Sequence, residues 1–534
     1  MTDLLDDRIH RRRWATLAVL CVSLLVIVID NTIVNVALPT LVRDLGTSIT
    51  DLQWVVDAYT LVFAGLLLTA GSLGDRFGRK GALTAGLVVF GAGSAAAAFA
   101  GGVGSLVAAR AVMGIGAALI MPATLSILTN VFTDARERAL AIGLWSGVAG
   151  IAVALGPVAG GFLLEHFWWG SVFIVNVPIV LVAIVAGRFL VPTSRNPHRP
   201  KLDLVGAASS IVGLGALVAA IIEAPTNGWT DPLILTGFAV AVVALTSFVW
   251  WERRIDEPML DVRFFANARF TAASMNVTLV FFALFGFIFV ATQYLQFVLG
   301  YGAFEAGLRT LPFAFALMVL APLSSKAVQL FGTKRVVVAG MVVFAVGLVV
   351  ASTSTVDSGY GPVMVAMVLM GAGMGLSVAP ATESIMGSLP LHQAGVGSAV
   401  NDTSREVGGA LGVAIVGSML SSLYSSDLNA KLPAAVPSPV RDAAGQSVGA
   451  ALQVSGQLGR VGRPLADAAR ESFVYAMTRA SLVTAAVALI GAFLAWRFLP
   501  ARATEVHGFD ATPPAEPALP AQPAEPAPEL AEAS

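Results

Sequence analysis

The chain has 534 residues, of which 56% are hydrophobic and only 12% are charged, and its mean hydropathy is +0.80. Soluble domains are about half apolar and one quarter charged, so this composition indicates an integral membrane protein. The formal net charge of −1, confined to short stretches between long apolar runs, leaves no basic face for nucleic acid. The only cysteine, Cys21, excludes an internal disulfide and a thiolate metal site, and the five scattered histidines do not suggest a metal.

The first apolar run follows Arg11–Arg13 and reaches Leu38. A secretory signal peptide has an apolar region of about 7–15 residues, so this longer run predicts an uncleaved membrane span. A span needs about 20 apolar residues. By that criterion the sequence predicts fourteen spans, at 14–38, 52–74, 82–101, 104–128, 139–162, 170–191, 203–223, 232–251, 270–298, 306–328, 333–353, 361–388, 394–420 and 473–498.

The short segments between these spans differ in their content of lysine and arginine. With a cytoplasmic N-terminus, the cytoplasmic segments contain Arg11–Arg13, Arg76, Arg79, Lys80, Arg136, Arg138, Arg195, Arg199, Lys201, Arg253, Arg254, Arg263, Lys334 and Arg335. The short external loops contain essentially Arg43 alone. Because basic residues collect on the cytoplasmic side, this asymmetry predicts that both ends of the chain are cytoplasmic. The segment 421–472 is then external, and long loops are exempt from the rule.

An internal repeat divides the predicted spans into two halves. Ala85–Gly93 returns as Ala339–Gly347 at an offset of 254 residues, each time after a short basic loop. Chance similarity between Ala/Gly-rich helices is the alternative. Such repeats place the transport site near the bilayer midplane, between halves that rock against each other. The predicted organisation is a cytoplasmic N-terminus 1–13, a six-helix half 14–191, an extra helix pair 203–251, a second half 270–498 and a disordered cytoplasmic tail 500–534 rich in Pro, Ala and Glu.

The loop after the second span reads GSLGDRFGRK from Gly71 to Lys80. Gly71 allows close approach of another helix, and Gly78 permits a tight turn. Asp75 can pair with a helix end or an arginine of the other half and so hold one conformation. The alternative is a basic loop that serves only topology, with an incidental acid. The corresponding loop of the second half lacks the acid, so the latch is assigned to this copy alone.

This loop resembles the cytoplasmic signature of the major facilitator superfamily, and nearly the whole chain resembles its branch of 14-span drug:proton antiporters, which includes quaternary-ammonium exporters. The resemblance implies an all-α fold of two six-helix halves plus two extra helices. It further implies efflux of lipophilic, chiefly cationic, drugs across a bacterial inner membrane by a monomer that uses the proton gradient and no cofactor. The conformational latch would comprise Gly71, Asp75, Arg76, Gly78 and Arg79.

Two charged residues fall inside predicted spans of the first half. Arg110 costs at least a few kcal/mol in the bilayer unless it is paired or wetted, so we expect it to face the interior and an acid; snorkelling to the outer interface is the alternative. Asp30 lies nine residues, or about 13 Å along a helix, from Pro39 at the outer end. A carboxylate buried at that depth can exchange protons near neutral pH. Asp30 is therefore the first candidate for the proton carrier, with Arg110 as its tuning partner, although a purely structural pair stays open.

The fifth span ends in a glycine-rich motif that resembles the antiporter motif of exporters. It comprises Gly156, Pro157, Gly160 and Gly161, and glycines also recur earlier in the span. Small residues at helical spacing form a smooth face, which predicts tight packing between the two halves. Generic small-residue packing is the alternative.

Candidate substrate-binding residues come from four spans. In span 13, Asp402 and Glu406 share one face, but Arg405 departs from the branch's pattern, and a self-paired structural cluster is the alternative. Five phenylalanines between 281 and 289 could form cation–π contacts, although contact with lipid is the simpler interpretation for most of them. The full set of candidates is Asn35, Trp54, Asp57, Tyr59, Glu223, Asp402, Arg405 and Glu406. Glu223 is a weaker candidate, as is Glu383 outside this set, and a solvated role at the outer end of the span stays open for Asp57.

Other function classes find less support. A narrow exporter of an endogenous metabolite or self-made antibiotic fits the same fold, whereas a nutrient symporter fits Gly156-Pro157 and Asp30 less well. No P-loop motif occurs, so an ATP-driven pump is not indicated, and nothing suggests an enzyme.

Overall fold

In the part of the chain that the computed structural model describes, fourteen helices are long and apolar enough to cross a membrane. The structure describes residues 2–45, 49–193, 203–256, 258–390, 393–433 and 436–501, and this part of the chain contains no strand. The prediction of fourteen spans is confirmed. We number these helices α1 Thr2–Leu45, α2 Ile49–Phe77, α3 Arg79–Ala98, α4 Val103–Val131, α5 Ala135–His166, α6 Asn176–Leu190, α7 Leu204–Asn227, α8 Pro232–Glu252, α9 Ala268–Gln293, α10 Leu311–Phe331, α11 Thr333–Ala351, α12 Gly361–Met386, α13 Ala394–Lys431 and α14 Arg463–Phe498.

Helix ends are fixed by local side-chain contacts. Asp134 begins α5 by accepting hydrogen bonds from the backbone N–H groups of Arg136 and Glu137. Hydrogen bonds from N-terminal amides hold the charged carboxylate, so the pKa of Asp134 lies below its usual range, with the bond from Glu137 as the largest cause. At the C-terminal end of α6, the Lys80 ammonium donates hydrogen bonds to the carbonyls of Arg188 and Val191, both at 2.8 Å. These contacts fix the ends of loops whose neighbouring residues contact the other half, as described below.

The internal repeat is visible in the packing of paired helices. A Cβ atom built on Gly86 of α3 would lie 2.8 Å from the carbonyl oxygen of Gly116 in α4. In the second half, a Cβ atom on Gly340 of α11 would lie 2.7 Å from the carbonyl oxygen of Gly373 in α12. The same close backbone approach therefore recurs at corresponding positions, which chance similarity of Ala/Gly-rich sequences does not explain.

The contacts between the halves include two glycine-lined helix pairs. Along α5 and α10, a Cβ atom on Gly143 would lie 2.6 Å from the Ala321 carbonyl oxygen. Between α2 and α13, a Cβ atom on Gly71 would lie 2.6 Å from the carbonyl oxygen of Gly395. The extra helices α7 and α8 pack on each other, and α7 also packs on α2 and α13. The halves thus meet along glycine-lined seams where backbones touch.

The segment expected as a long external loop is largely helical. α13 continues to Lys431, two short helices follow at Ser438–Gln446 and Val448–Gln457, and α14 begins at Arg463. The Tyr424 hydroxyl donates to the Ala444 carbonyl at 3.0 Å and ties the first short helix to α13. The apolarity criterion placed the span ends at 420 and 473 because it detects apolar composition. It does not detect a helix that continues into more polar sequence. Residues 502–534, which include most of the predicted tail, lie outside the described part.

Candidate functional site

A fully buried ion pair lies within the first half. The Arg110 guanidinium of α4 donates through Nη1 to Oδ2 of Asp30 in α1, and both side chains are completely shielded from solvent. Arg110 also donates through Nε to the carbonyl of Val55 in α2 at 3.0 Å. The alternative that Arg110 snorkels to the interface is wrong, because its charge is held inside the half by a carboxylate.

A short hydrogen-bond chain supports the other carboxylate oxygen. Asn176 of α6 donates to Oδ1 of Asp30 at 2.8 Å and approaches the Ser94 hydroxyl at 3.0 Å, while Ser94 donates to the Phe173 carbonyl at 2.8 Å. Asn176 was not among the residues predicted from the sequence. A lone polar residue opening an apolar span was the available signal, since a buried amide needs partners.

Tyr59 covers one face of the guanidinium. The Arg110 Cζ lies 4.3 Å from the centroid of the buried Tyr59 ring. Within the described part of the chain, the Tyr59 hydroxyl and Nη2 of Arg110 have no hydrogen-bond partner. The pair is therefore satisfied on the Asp30 side and retains free polar atoms beside Tyr59, a predicted substrate residue.

The charged cluster of span 13 is arranged differently. Asp402 is buried and accepts a hydrogen bond from Asn401 at 3.1 Å, whereas its Oδ2 has no partner among the described residues. Arg405 is also buried, but it donates no hydrogen bond and has no carboxylate oxygen within 4 Å in the described part. Glu406 is half-buried and near enough to Tyr59 of the first half to interact with it electrostatically. The alternative of a self-paired cluster is not realised as an ion pair among the described residues, although Asp402 and Glu406 interact electrostatically with Arg405.

Arg405 instead lies between two aromatic rings. Its Cζ is 4.8 Å from the ring centroid of Trp145 in α5 and 5.2 Å from that of Phe281 in α9. Among the five phenylalanines between 281 and 289, Phe281 therefore contacts a cation. This cation is Arg405 of the protein itself. One ring comes from each half, so Arg405 lies at the junction of the halves.

The remaining substrate candidates lie along α2 and α7. Trp54 is 46% exposed, and Asp57 is half-buried. Asp57 and Glu223 are close enough for their charges to interact, because α2 and α7 pack together, and Glu223 also accepts a hydrogen bond from Asn227 at 2.9 Å. Asn35 lies in α1, but its side chain is outside the described part of the structure.

The loop between α2 and α3 reaches across to the second half. Asp75 is buried and accepts hydrogen bonds from the backbone N–H groups of Gly395, at 2.9 Å, and Val396, at 3.3 Å. Its other strong partner is Arg79, whose Nη2 lies 2.7 Å from Oδ1. The carboxylate thus binds the N-terminus of α13, where free amides and the helix dipole favour negative charge.

The loop's other predicted members have more local contacts. Gly78 has φ of 112°, a left-handed conformation that favours glycine, and it separates α2 from α3. The Arg76 guanidinium lies 5.3 Å from the Phe77 ring centroid. Gly71 contacts Gly395 and Ala399 of α13, which makes it the residue that permits the close approach of α2.

A second contact between halves was missed by the sequence analysis. Arg138 of α5 donates to Glu383 of α12 through Nε at 2.9 Å and through Nη2 at 2.8 Å, a two-pronged ion pair in which both side chains are about 15% exposed. Glu383 was considered only as a weak substrate candidate. Sequence alone offers no signal for this pair, because 245 positions separate its members.

The glycine motif of α5 makes contacts on both sides. Gly143 and Gly147 face α10 of the other half, and Pro157 contacts Gly307 in the short helix Ala303–Leu308 before α10. Gly161 faces Phe304 in that same helix. Gly156 faces Thr32 of α1 in its own half, so the prediction that the motif packs wholly between halves is wrong at this position. Gly160 is buried.

The arrangement of repeated halves, a buried intramembrane ion pair and a loop carboxylate on the opposite half can be compared with known proteins. A family model described as Major Facilitator Superfamily matches residues 20–413. The chain belongs to the Major Facilitator Superfamily. Members are secondary transporters, so this superfamily protein is a transporter and not an enzyme, and its fourteen apolar helices make it a multi-pass protein of the bacterial inner membrane.

Named relatives of this superfamily transporter are exporters and resistance proteins. It is 38% identical to the multidrug efflux pump LfrA of Mycolicibacterium smegmatis, over 91% of this chain and 97% of the relative. It is 34% identical to the tetracenomycin C resistance and export protein of Streptomyces glaucescens, over 91% of each chain. The methyl viologen resistance protein SmvA of Salmonella typhimurium is 33% identical, over 87% of this chain and 94% of the relative.

Proposed function

We propose that this transporter exports lipophilic, chiefly cationic, drugs in exchange for protons, as a monomer that uses the proton gradient and no cofactor. The buried Asp30–Arg110 pair carries the proposal. Burying a charge pair is costly, and an apolar pair of similar volume often costs less, so its presence in a membrane span favours a functional role. A proton arriving on Asp30 cancels the charge that holds Arg110 and frees the guanidinium beside Tyr59.

The names of the relatives support drugs, including cationic ones, as the cargo. LfrA is named as a multidrug efflux pump and SmvA as a methyl viologen resistance protein. Methyl viologen is a flat dication. Carboxylates beside the pathway, at Asp57, Glu223 and Glu406, suit such a cargo because they attract positive charge at half-buried positions.

We assign the end of the bundle where α2 meets α3 and where α13 begins to the cytoplasm, because the basic segments collect there. At this end Asp75 binds the α13 N-terminus and Arg138 binds Glu383. In this orientation the conformation is closed toward the cytoplasm. Opening to that side requires both contacts to break, so they hold the closed state until protons and cargo exchange.

Everted membrane vesicles test the function. Respiration acidifies the vesicle lumen, and added ethidium should leave the outside solution while lumenal protons return, which reverses the quenching of a pH-sensitive acridine dye. Asp30→Asn should abolish both signals, because an amide cannot carry the proton. Asp467→Asn is the matched control, since this acid is 71% exposed at the start of α14.

Two results would contradict the proposal. Ethidium transport that persists in native vesicles after the proton gradient is collapsed would remove proton coupling. Full transport by Asp30→Asn would leave the Asp30–Arg110 pair with the purely structural role.

The second candidate is a narrow exporter of one antibiotic. Relatives named for tetracenomycin C export and puromycin resistance favour it, each 34% identical to this chain. A drug-sensitive host that expresses the native protein separates the two. Protection against many chemically unrelated toxic cations supports broad efflux, and protection against a single antibiotic class supports the narrow exporter.

A further inference from the structure

Arg405 is a buried cation that forms no hydrogen bond or ion pair with the described residues. It is 7% exposed, its Nε has no hydrogen-bond partner, and no ion pair involves it among the described residues. An arginine has five N–H donors arranged in a planar fork, and buried polar groups are nearly always hydrogen-bonded. The buried Nε–H, which has no acceptor among the described residues, therefore indicates that this guanidinium can receive one.

The rings of Trp145 and Phe281 hold the guanidinium in place. Its Cζ lies 4.8 and 5.2 Å from the two ring centroids, which is within cation–π distance of both rings. An arginine fixed in this way loses little conformational freedom when an acceptor arrives. Its planar fork matches the two oxygens of a carboxylate.

Nearby groups define the rest of the cargo. Asp402 and Glu406 interact electrostatically with Arg405, yet neither lies within ion-pair distance of it in the described part. A purely anionic cargo would meet these two acids, and a purely cationic cargo would meet Arg405. A molecule that carries both charges can place each one beside its opposite.

A flat apolar surface adjoins this position. The Phe281 ring stacks on that of Phe285, with centroids 6.1 Å apart and planes 27° from parallel, and Phe285 is 39% exposed. Such a surface accommodates a planar aromatic system.

We propose that Arg405, held between Trp145 and Phe281, binds the anionic group of a planar amphoteric cargo whose cationic group faces Glu406. This inference rests on the proposed export function and extends its range from lipophilic cations to zwitterionic aromatic compounds.

Two dyes that differ by one ester test the inference. Rhodamine B carries a carboxylate and a cationic ring system, whereas its ethyl ester retains only the cation. Binding to the purified protein is measured by fluorescence anisotropy. We expect the native protein to bind rhodamine B at least as tightly as the ester. Arg405→Gln should weaken rhodamine B binding about tenfold more than ester binding, because one charge-assisted contact is lost.

Arg405→Lys is the matched variant, since it keeps the charge but loses the planar fork. It should retain part of the preference for rhodamine B. A native protein that binds the ester at least tenfold more tightly than rhodamine B overturns the inference, and this arm needs no variant to fold. Equal weakening of both dyes by Arg405→Gln also overturns it.

Ethidium transport in the same vesicles separates this inference from the proposed function. Proton-driven ethidium efflux together with a failure to bind rhodamine B rejects the Arg405 site alone. If the native protein shows no ethidium efflux, the export function itself is rejected.

Discussion

The two halves of this transporter each bury an arginine, and they treat its charge in opposite ways. Arg110 lies on Tyr59 and also binds the Asp30 carboxylate and a backbone carbonyl. Arg405 lies between Trp145 and Phe281 but has no acceptor among the described residues. Aromatic contact is common to both, but among the described residues only Arg110 forms an ion pair, whereas Asp402 and Glu406 act on Arg405 from beyond ion-pair distance.

The two buried arginines therefore differ in how their charge is balanced. A satisfied pair changes only when a proton removes the carboxylate's charge, which suits coupling. An unsatisfied cation at the junction of the halves is available to a molecule that enters. The comparison supports our proposal that coupling lies in the first half and part of cargo recognition in the second.

The largest expected effect comes from breaking the satisfied pair. Arg110→Leu leaves Asp30 buried without its counter-charge, so we expect a loss of about 3–5 kcal/mol of stability and no efflux. Arg405→Leu orphans no bonded carboxylate and should cost far less stability. Thermal unfolding of the purified proteins in detergent measures both. Similar destabilisation by the two substitutions would contradict the contrast between the halves.

The next effect concerns the close packing between α2 and α13. Gly71→Ala places a methyl group against the Gly395 carbonyl, at 2.6 Å, so the cytoplasmic closure should be disturbed and ethidium efflux should fall by about tenfold or more. Gly81→Ala is the control, because its methyl group would meet nothing within 4 Å. Vesicle transport assays compare the two. Unchanged efflux in Gly71→Ala would show that this close approach is dispensable.

Most of the fold can be predicted from the sequence, because the length of an apolar run and the charge of a loop are local properties of the chain. Fourteen spans and the repeated halves follow from these features, and Asp30 and Arg110 stood out because charge inside a span demands a partner. Contacts between distant residues were not predictable in this way. Asn176 beside Asp30, and Arg138 with Glu383, become neighbours only when helices far apart in the chain pack together.

Arg405 shows a different limit. The sequence placed two acids within one turn of it, and self-pairing was a reasonable expectation. The helix instead directs the guanidinium toward α5 and α9, where Trp145 and Phe281 lie, and a pattern on one helix carries no information about the rings on two others.

A smaller effect is expected at the second cytoplasmic contact. Arg138→Glu and Glu383→Arg each place like charges together across the halves, and each should reduce efflux severalfold. The double exchange should recover most of it, with a coupling free energy of about 1–3 kcal/mol. A double-mutant cycle on transport rates measures this. No recovery in the exchanged pair would mean that the two side chains do not act together.

The smallest effect is expected at the exposed start of α5. The backbone bonds from Glu137 and Arg136 keep the pKa of Asp134 below its usual value. Its stabilisation is therefore present at pH values above about 4, where the unfolded side chain is also ionised, and is lost as the pH falls through the lowered pKa. Asp134→Ala should lower the Tm by no more than about 2 °C at pH 7. Asp134→Asn should lower it less, because the amide oxygen still accepts.

The central claim is that cargo binding and a proton on Asp30 are linked. The direct measurement adds ethidium to purified protein in weakly buffered detergent and records proton release with a pH indicator, for the native protein and for Asp30→Asn, with Asp467→Asn as control. Release of protons by native protein and control, with ethidium binding but no release in Asp30→Asn, is the predicted result. Equal proton release by Asp30→Asn would contradict the claim and move coupling to another acid.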